Sequence, residues 1–127
     1  MATTKRILVI DDEDDIREVV QVSLEMIGGY EVLTADSGDK GLLKAETEQP
    51  DAILLDVMMP DMDGPTTFQA LQANQMTRHI PVILLTAKVQ AADRRQFADL
   101  GVKAVLTKPF DPMRLTNQVT ETLGWVS

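Results

Sequence analysis

Five short apolar runs, spaced along the chain with helix-length segments between them, constrain this sequence more than any other feature. They are Ile7–Ile10, Glu31–Ala35, Ala52–Leu55, Val82–Leu85 and Ala104–Leu106. Most are rich in Ile, Val and Leu and nearly continuous, while the second alternates more. A continuous apolar run of this length fits a strand covered on both faces, as in a parallel sheet between helix layers. Parallel neighbours need long crossovers, and right-handed crossovers leave helices on both sides of an open sheet. The pattern therefore predicts a doubly wound α/β fold with five strands and five helices in one domain spanning residues 1–127.

The intervening segments read as helices. Ile16, Val19, Val20, Leu24 and Ile27 recur at offsets of three and four, which predicts one apolar stripe ending at Gly28-Gly29. Leu42, Leu43 and Ala45 mark a shorter second helix after Gly38, and Pro65, Phe68 and Leu71 a third with proline in its first turn. The fourth is expected over Val89–Leu100, closed by Gly101 as a C-cap. The fifth starts at Asp111-Pro112, an N-cap followed by proline at the first helical position, and runs through Leu115, Val119 and Leu123.

Charge and composition narrow the function. Twelve Lys+Arg against twenty Asp+Glu leave a formal net charge of −8. Such a chain has no general attraction to nucleic acid or anionic membrane, so neither is an expected partner. There is no cysteine, which removes disulfides, zinc-thiolate sites and thiol catalysis together. The N-terminal apolar run is too short for a signal-peptide core, and no run is long enough to span a bilayer, so a cytoplasmic location is expected.

Four of the five strands end in a residue able to do chemistry. The first runs into Asp11-Asp12, the third into Asp56, the fourth into Thr86 and the fifth into Lys108. In an open parallel sheet all carboxyl ends lie along one edge, where ligands bind, so these residues converge in one pocket. Three carboxylates at close range repel unless a cation joins them. No histidine or cysteine accompanies them, and an all-oxygen site favours Mg²⁺ over zinc or copper. Lys108 and Thr86 suit the oxygens of a phosphoryl group, one as a compact charge and the other as a hydroxyl donor.

These same residues carry a family resemblance. Asp11-Asp12 after the first strand, Asp56 within Leu-Leu-Asp-Val-Met-Met-Pro-Asp-Met-Asp-Gly, Thr86-Ala87 after the fourth strand, and Lys108-Pro109-Phe110 occur in order over nearly the whole chain. Together they make the sequence similar to the receiver domains of bacterial two-component response regulators, of the chemotaxis-regulator type. The resemblance implies a flavodoxin-like sheet of order 2-1-3-4-5, for which a member of this family is a standard example. It implies that Asp56 takes a phosphoryl group from a phosphohistidine on a sensor histidine kinase or phosphotransfer protein. Asp12 would bind Mg²⁺ directly, Asp11 mostly through water, and Met58 through its backbone carbonyl. Thr86 and Lys108 would contact the phosphoryl group, and the Lys108–Pro109 peptide would be cis. The face of the fourth helix, fifth strand and fifth helix would then change affinity for a downstream protein. With nothing after Ser127, output through contact rather than an attached domain is expected.

One position departs from the family pattern. Three residues before the lysine, where an aromatic ring usually stands, this chain has Val105, which has no ring to swing and a stiff χ1. The usual coupling between threonine and ring is thereby put in question, while the phosphorylation chemistry is expected to survive.

Plainer readings apply elsewhere. The acidic run from Asp11 to Asp15 would by itself be a solvated turn, with Asp14 or Asp15 capping the next helix. Asp61-Met62-Asp63-Gly64 resembles a calcium loop superficially, but Met59, Pro60 and Ala70 stand where that motif needs other residues. His79 and the Arg94-Arg95 pair are expected at the surface, and Met58-Met59 as packing at a strand end. Two other functions compete with the phosphoacceptor reading. A haloacid-dehalogenase-type phosphohydrolase would want Asp-x-Asp after its first strand, which is missing. A degenerate receiver would bind partners without phosphorylation, against which the intact site set argues.

Overall fold

Strand and helix alternate along the whole described chain, because each apolar run is closed by polar or glycine-containing segments that cannot continue it. The structure, a computed structural model, describes residues 4–87 and 91–125, with the backbone alone for 91–94. The elements are β1 (Arg6–Ile10), α1 (Asp14–Met26), β2 (Glu31–Ala35), α2 (Gly38–Glu48), β3 (Ala52–Asp56), α3 (Gly64–Ala73), β4 (Val82–Thr86), α4 (Ala91–Leu100), β5 (Ala104–Thr107) and α5 (Pro112–Leu123). The strands form one parallel sheet in the order β2-β1-β3-β4-β5. The flavodoxin-like topology expected from the resemblance is thus observed.

The side-chain period of two along each strand divides the interior into two cores. Leu8 and Ile10 of β1, Ile53 and Leu55 of β3, and Leu84 of β4 meet Ala45, Phe68, Leu71 and Phe97 from α2, α3 and α4. Ile7, Val9, Leu54, Ile83 and Leu85 point the other way, to Val20 and Leu24 of α1 and Leu115 and Val119 of α5. Burying each of the larger side chains contributes about 1.5–3 kcal/mol, so the central strands dominate the driving force for this arrangement.

Local signals explain where the helices start. The Asp63 side chain accepts from the Thr66 N–H at 2.8 Å and Asp111 from the Met113 N–H at 2.9 Å, each as the N-cap before a proline-bearing first turn. Ser37 caps α2, which begins at Gly38 itself. In α1 the cap is Glu13, which makes no side-chain cap bond, while Asp14 and Asp15, the expected caps, lie one and two residues later inside the first turn. The stripe on α1 is also narrower than its spacing predicts. Val20 and Leu24 are buried, but Val19 and Ile27 are 40% and 44% exposed and line an open groove beside Pro112 and Met113. Between these helices the Ser23 hydroxyl donates to the Pro112 carbonyl, and the Thr116 hydroxyl donates to the Ser23 carbonyl at 3.0 Å.

The fourth helix begins at Ala91; Val89, the expected start, lies outside the described residues. Gly101 follows α4 with φ +98°, a left-handed conformation suited to glycine. Arg95 and His79 are exposed, as expected, whereas the Arg94 side chain lies outside the description. Among the described residues no helix is long and apolar enough to cross a membrane.

Candidate functional site

The carboxyl ends of β1, β3, β4 and β5 form one edge, and the sheet register fixes which residues reach it together. Asp56 pairs with Leu85 at the end of β3, and Thr86 pairs with Thr107 one step further across. β1 ends level with Leu55, so its chain leaves the sheet as Asp11, Asp12 and Glu13 beside Asp56. Gly64 holds the returning chain close: a Cβ there would lie 2.6 Å from the Asp56 carbonyl oxygen and 2.8 Å from Val57 Cα. Only glycine permits that approach, which seats the start of α3 against the base of Asp56.

Lys108 arrives from the far side of the sheet and binds these acids together. Its Nζ donates to Asp11 Oδ2 at 2.9 Å and to Asp56 Oδ1 at 3.1 Å, and Glu13 Oε1 lies 3.6 Å away. The lysine is held by its own backbone, whose N–H donates to the Thr86 carbonyl at 2.9 Å, and the Lys108–Pro109 peptide is cis. Asp11 is fully buried and uses both oxygens, since Oδ1 also accepts from the Glu13 N–H at 2.9 Å. Asp12 Oδ1 and Asp56 Oδ2 are different: both are buried and neither has a hydrogen-bond partner.

The electrostatics follow from burial and crowding. Burial pushes the Asp56 carboxyl up to about 6, the Asp11 charge adds to the rise, and Lys108 and the Met58 N–H oppose it. For Lys108 burial acts downward, but the Asp11 and Asp56 carboxylates outweigh it and its pKa is raised. Carboxylate oxygens of Asp11, Asp12, Glu13 and Asp56 all lie within 4.8 Å of one another. Two partnerless buried oxygens within a surplus of negative charge fit a hard divalent cation, and an all-oxygen donor set suits Mg²⁺.

The structure therefore brings Asp11, Asp12, Asp56 and Lys108 together as the strand-end pattern predicts. Thr86 is fully buried at the same edge and is joined to Lys108 through the backbone. Met58 follows on the loop after β3 with its side chain 56% exposed, whereas Met59 is buried, so the pair does not pack as a unit. Val105 is half-buried on β5, opposite Leu84, against the α2–α4 core. Two residues near the acids escaped the sequence reading. Glu13 was legible only as part of the acidic run; Arg17, whose Nη1 donates to the Asp11 carbonyl at 2.8 Å, gave no signal beyond helical spacing to Asp14.

A buried aspartate at the end of β3, two acids after β1 and a lysine after β5 define the receiver class of signalling proteins. Residues 7–120 match the family described as response regulator receiver domain, and the chain belongs to it. The phosphohydrolase alternative falls with that match. Among curated relatives it is 42% identical over 115 residues to the alkaline phosphatase synthesis transcriptional regulatory protein PhoP of Bacillus subtilis, covering 91% of this chain and 47% of that protein. It is 47% identical over 106 residues to the DNA-binding dual master transcriptional regulator RpaA of Synechocystis, covering 84% and 44%. The chain thus spans about half the length of the curated relatives it matches. Among solved structures, Vibrio cholerae chemotaxis protein CheY4 superposes with a TM-score of 0.87 at 30% identity, covering 94% of this chain and 99% of that one. The receiver domain of a Pseudomonas aeruginosa sensor histidine kinase, with a magnesium ion coordinated in its active-site cleft, superposes with a TM-score of 0.84 at 29% identity, covering 96% and 99%. Receiver domains are phosphoacceptor switches of two-component signalling, served by histidine kinases or phosphotransfer proteins.

Proposed function

We propose that this chain is an Mg²⁺-dependent phosphorylation switch in which Asp56 accepts the phosphoryl group. The observation that carries the reading is the state of Asp56: one oxygen is held by Lys108, the other is buried without a partner, and three further carboxylates stand beside it. Asp12 and Asp56 would hold the cation through their partnerless oxygens, with Asp11 behind them and the Met58 carbonyl on the following loop. When bound, Mg²⁺ supplies charge neutralisation for the oxygens of the transferring group.

The remaining steps belong to the chain's own side chains. With its carboxyl near 6, Asp56 is largely ionised at neutral pH and able to attack. An Asp56 oxygen forms a bond to phosphorus as the bond to the donor's imidazole nitrogen breaks in line, and the freed imidazole takes up a proton. Lys108, already within hydrogen-bond reach of Asp56, transfers its donation to the phosphoryl oxygens. The Thr86 hydroxyl would donate to the same group from the end of β4. Negative charge newly held between these donors favours one arrangement of β4, α4 and β5 over another, and partner binding follows that shift. A sensor histidine kinase or phosphotransfer protein is the donor, and a protein recognising the α4–β5–α5 face the target. The single sheet with its two helical layers supports reading residues 1–127 as one receiver domain.

The test is incubation with Mg²⁺ and acetyl phosphate followed by intact-protein mass spectrometry. Stoichiometric gain of one phosphoryl group by wild type, and none by Asp56→Asn, is expected. Labelling of Asp56→Asn at the wild-type level would overturn the assignment, and an unlabelled wild type would favour the degenerate receiver.

A further inference from the structure

The loop between β1 and α1 presents a mechanical problem. It carries Asp11, Asp12 and Glu13, whose carboxylates must stay close together despite their repulsion, and it leads into a helix that lacks an ordinary cap. Glu13 occupies the N-cap position of α1 without making a side-chain cap bond. A helix start without that bond forgoes the local stabilisation a cap supplies. Something else must fix the loop.

Arg17 is placed to do so. Its Nη1 donates to the Asp11 carbonyl at 2.8 Å, and its Nη2 pairs with Asp14 Oδ1 at 2.5 Å. The guanidinium fork thus spans the loop, one arm on the last residue before Asp12 and the other on the first turn of α1. The arginine side chain is 20% exposed, so much of its surface is packed rather than solvated. The other Asp11 groups are also taken: its N–H donates to the Ala35 carbonyl at 3.1 Å, Oδ1 accepts from Glu13 and Oδ2 from Lys108. Asp12, in contrast, has an oxygen with no hydrogen-bond partner, so the position of that carboxylate depends on the chain on either side of it.

We propose that Arg17 is a positioning residue for the divalent-cation site, its bidentate span from the Asp11 carbonyl to Asp14 holding Asp12 in line with Asp56. The proposal rests on the reading of Asp12 and Asp56 as cation ligands. It makes a prediction opposite in sign to simple electrostatics. A guanidinium beside a cation site repels the incoming ion, so if Arg17 acted only as a charge its removal would tighten binding. If it braces the loop, removal loosens binding although a positive charge has gone. Outer partners that orient metal ligands are typically worth about tenfold or more in affinity. Lysine cannot substitute, because a single ammonium has no planar fork with which to span the two acceptors.

The experiment is calorimetric titration of Mg²⁺ into the metal-free full chain, for wild type, Arg17→Met and Arg17→Lys, with amide hydrogen exchange at Asp12 and Glu13 measured before metal is added. Both variants are expected to bind Mg²⁺ roughly tenfold more weakly and to exchange faster at those two amides. A purely structural contribution would lower the melting temperature while leaving the affinity of the folded protein in place. Equal or tighter binding by Arg17→Met overturns the proposal, as does full wild-type affinity in Arg17→Lys. Should Arg17→Met fail to fold, Arg17→Lys decides the matter by the same criterion. A wild type that binds no Mg²⁺ overturns the cation-site reading itself, which separates that failure from a failure of the brace.

Discussion

β1 and β3 deliver their acids from strands buried from Ile7 to Ile10 and from Ala52 to Asp56, whereas β5 is only half-buried at every position from Ala104 to Thr107. The two sides of the site are built for different work. On the acid side Asp11 and Asp56 are fixed by the central strands, by the Gly64 close approach and by Lys108, while Asp12 keeps an oxygen without a partner. On the β5 side the chain lies at the sheet edge, with a single strand neighbour and only half-buried side chains from Ala104 to Thr107, Val105 among them. A densely buried acid pocket next to a thinly covered edge strand suits the proposed switch, in which charge introduced at one place is read as movement at the other.

The largest effect that would sharpen this contrast is on stability. Leu54→Ala, in fully buried β3, should cost about 3–4 kcal/mol in urea unfolding, and Val105→Ala about 1 kcal/mol. Similar losses at both positions would remove the distinction between a central and an edge strand. Next comes Lys108→Met. Removing the ammonium leaves Asp11 and Asp56 buried without their cation, so the metal-free protein should lose about 3 kcal/mol. Added Mg²⁺ should recover part of that loss, as a shift of the unfolding midpoint shows.

A smaller effect appears as pH dependence. Between about pH 4 and pH 6 the folded protein keeps a proton on Asp56 that the unfolded chain has released, because the folded carboxyl is raised to about 6. Folding therefore takes up a proton in that window, and stability falls as pH rises through it. Asp56→Asn should lack this component, so in metal-free buffer its advantage over wild type should grow from pH 4 to pH 6 and then level off. The plateau should be on the order of 2–3 kcal/mol. A constant difference across the window would show that Asp56 titrates normally. The smallest effect on the chemistry concerns Val105→Tyr, which should leave the rate of labelling by acetyl phosphate unchanged while altering affinity for a partner on the α4–β5–α5 face. Equal changes in both would mean that the edge strand is not separate from the acid pocket.

Most of the fold was legible because buried parallel strands write themselves as continuous Ile/Val/Leu runs, and Asp63 and Asp111 mark helix starts ahead of proline. What misled were positions where local pattern and tertiary cover disagree. Val19 and Ile27 share the helical period of Val20 and Leu24, yet they are partly exposed, lining an open groove with Pro112 and Met113 at the start of α5. The cap of α1 falls on Glu13 rather than on the shorter acids after it, since the chain is turned by the bond from the Glu13 N–H to Asp11. Arg17 was invisible for a related reason: its acceptor is a backbone carbonyl, which every residue possesses and no sequence motif records.

The order of residues alone determined that five strands would end on one edge and that acids, a threonine and a lysine would stand there, because strand direction and crossover handedness leave little choice. Only the three-dimensional packing decided which oxygens are spoken for. Asp11 has both satisfied, while Asp12 and Asp56 each keep one bare. That distinction depends on distances of a few tenths of an ångström between groups up to 97 residues apart, such as Asp11 and Lys108, and no local pattern encodes separations of that kind.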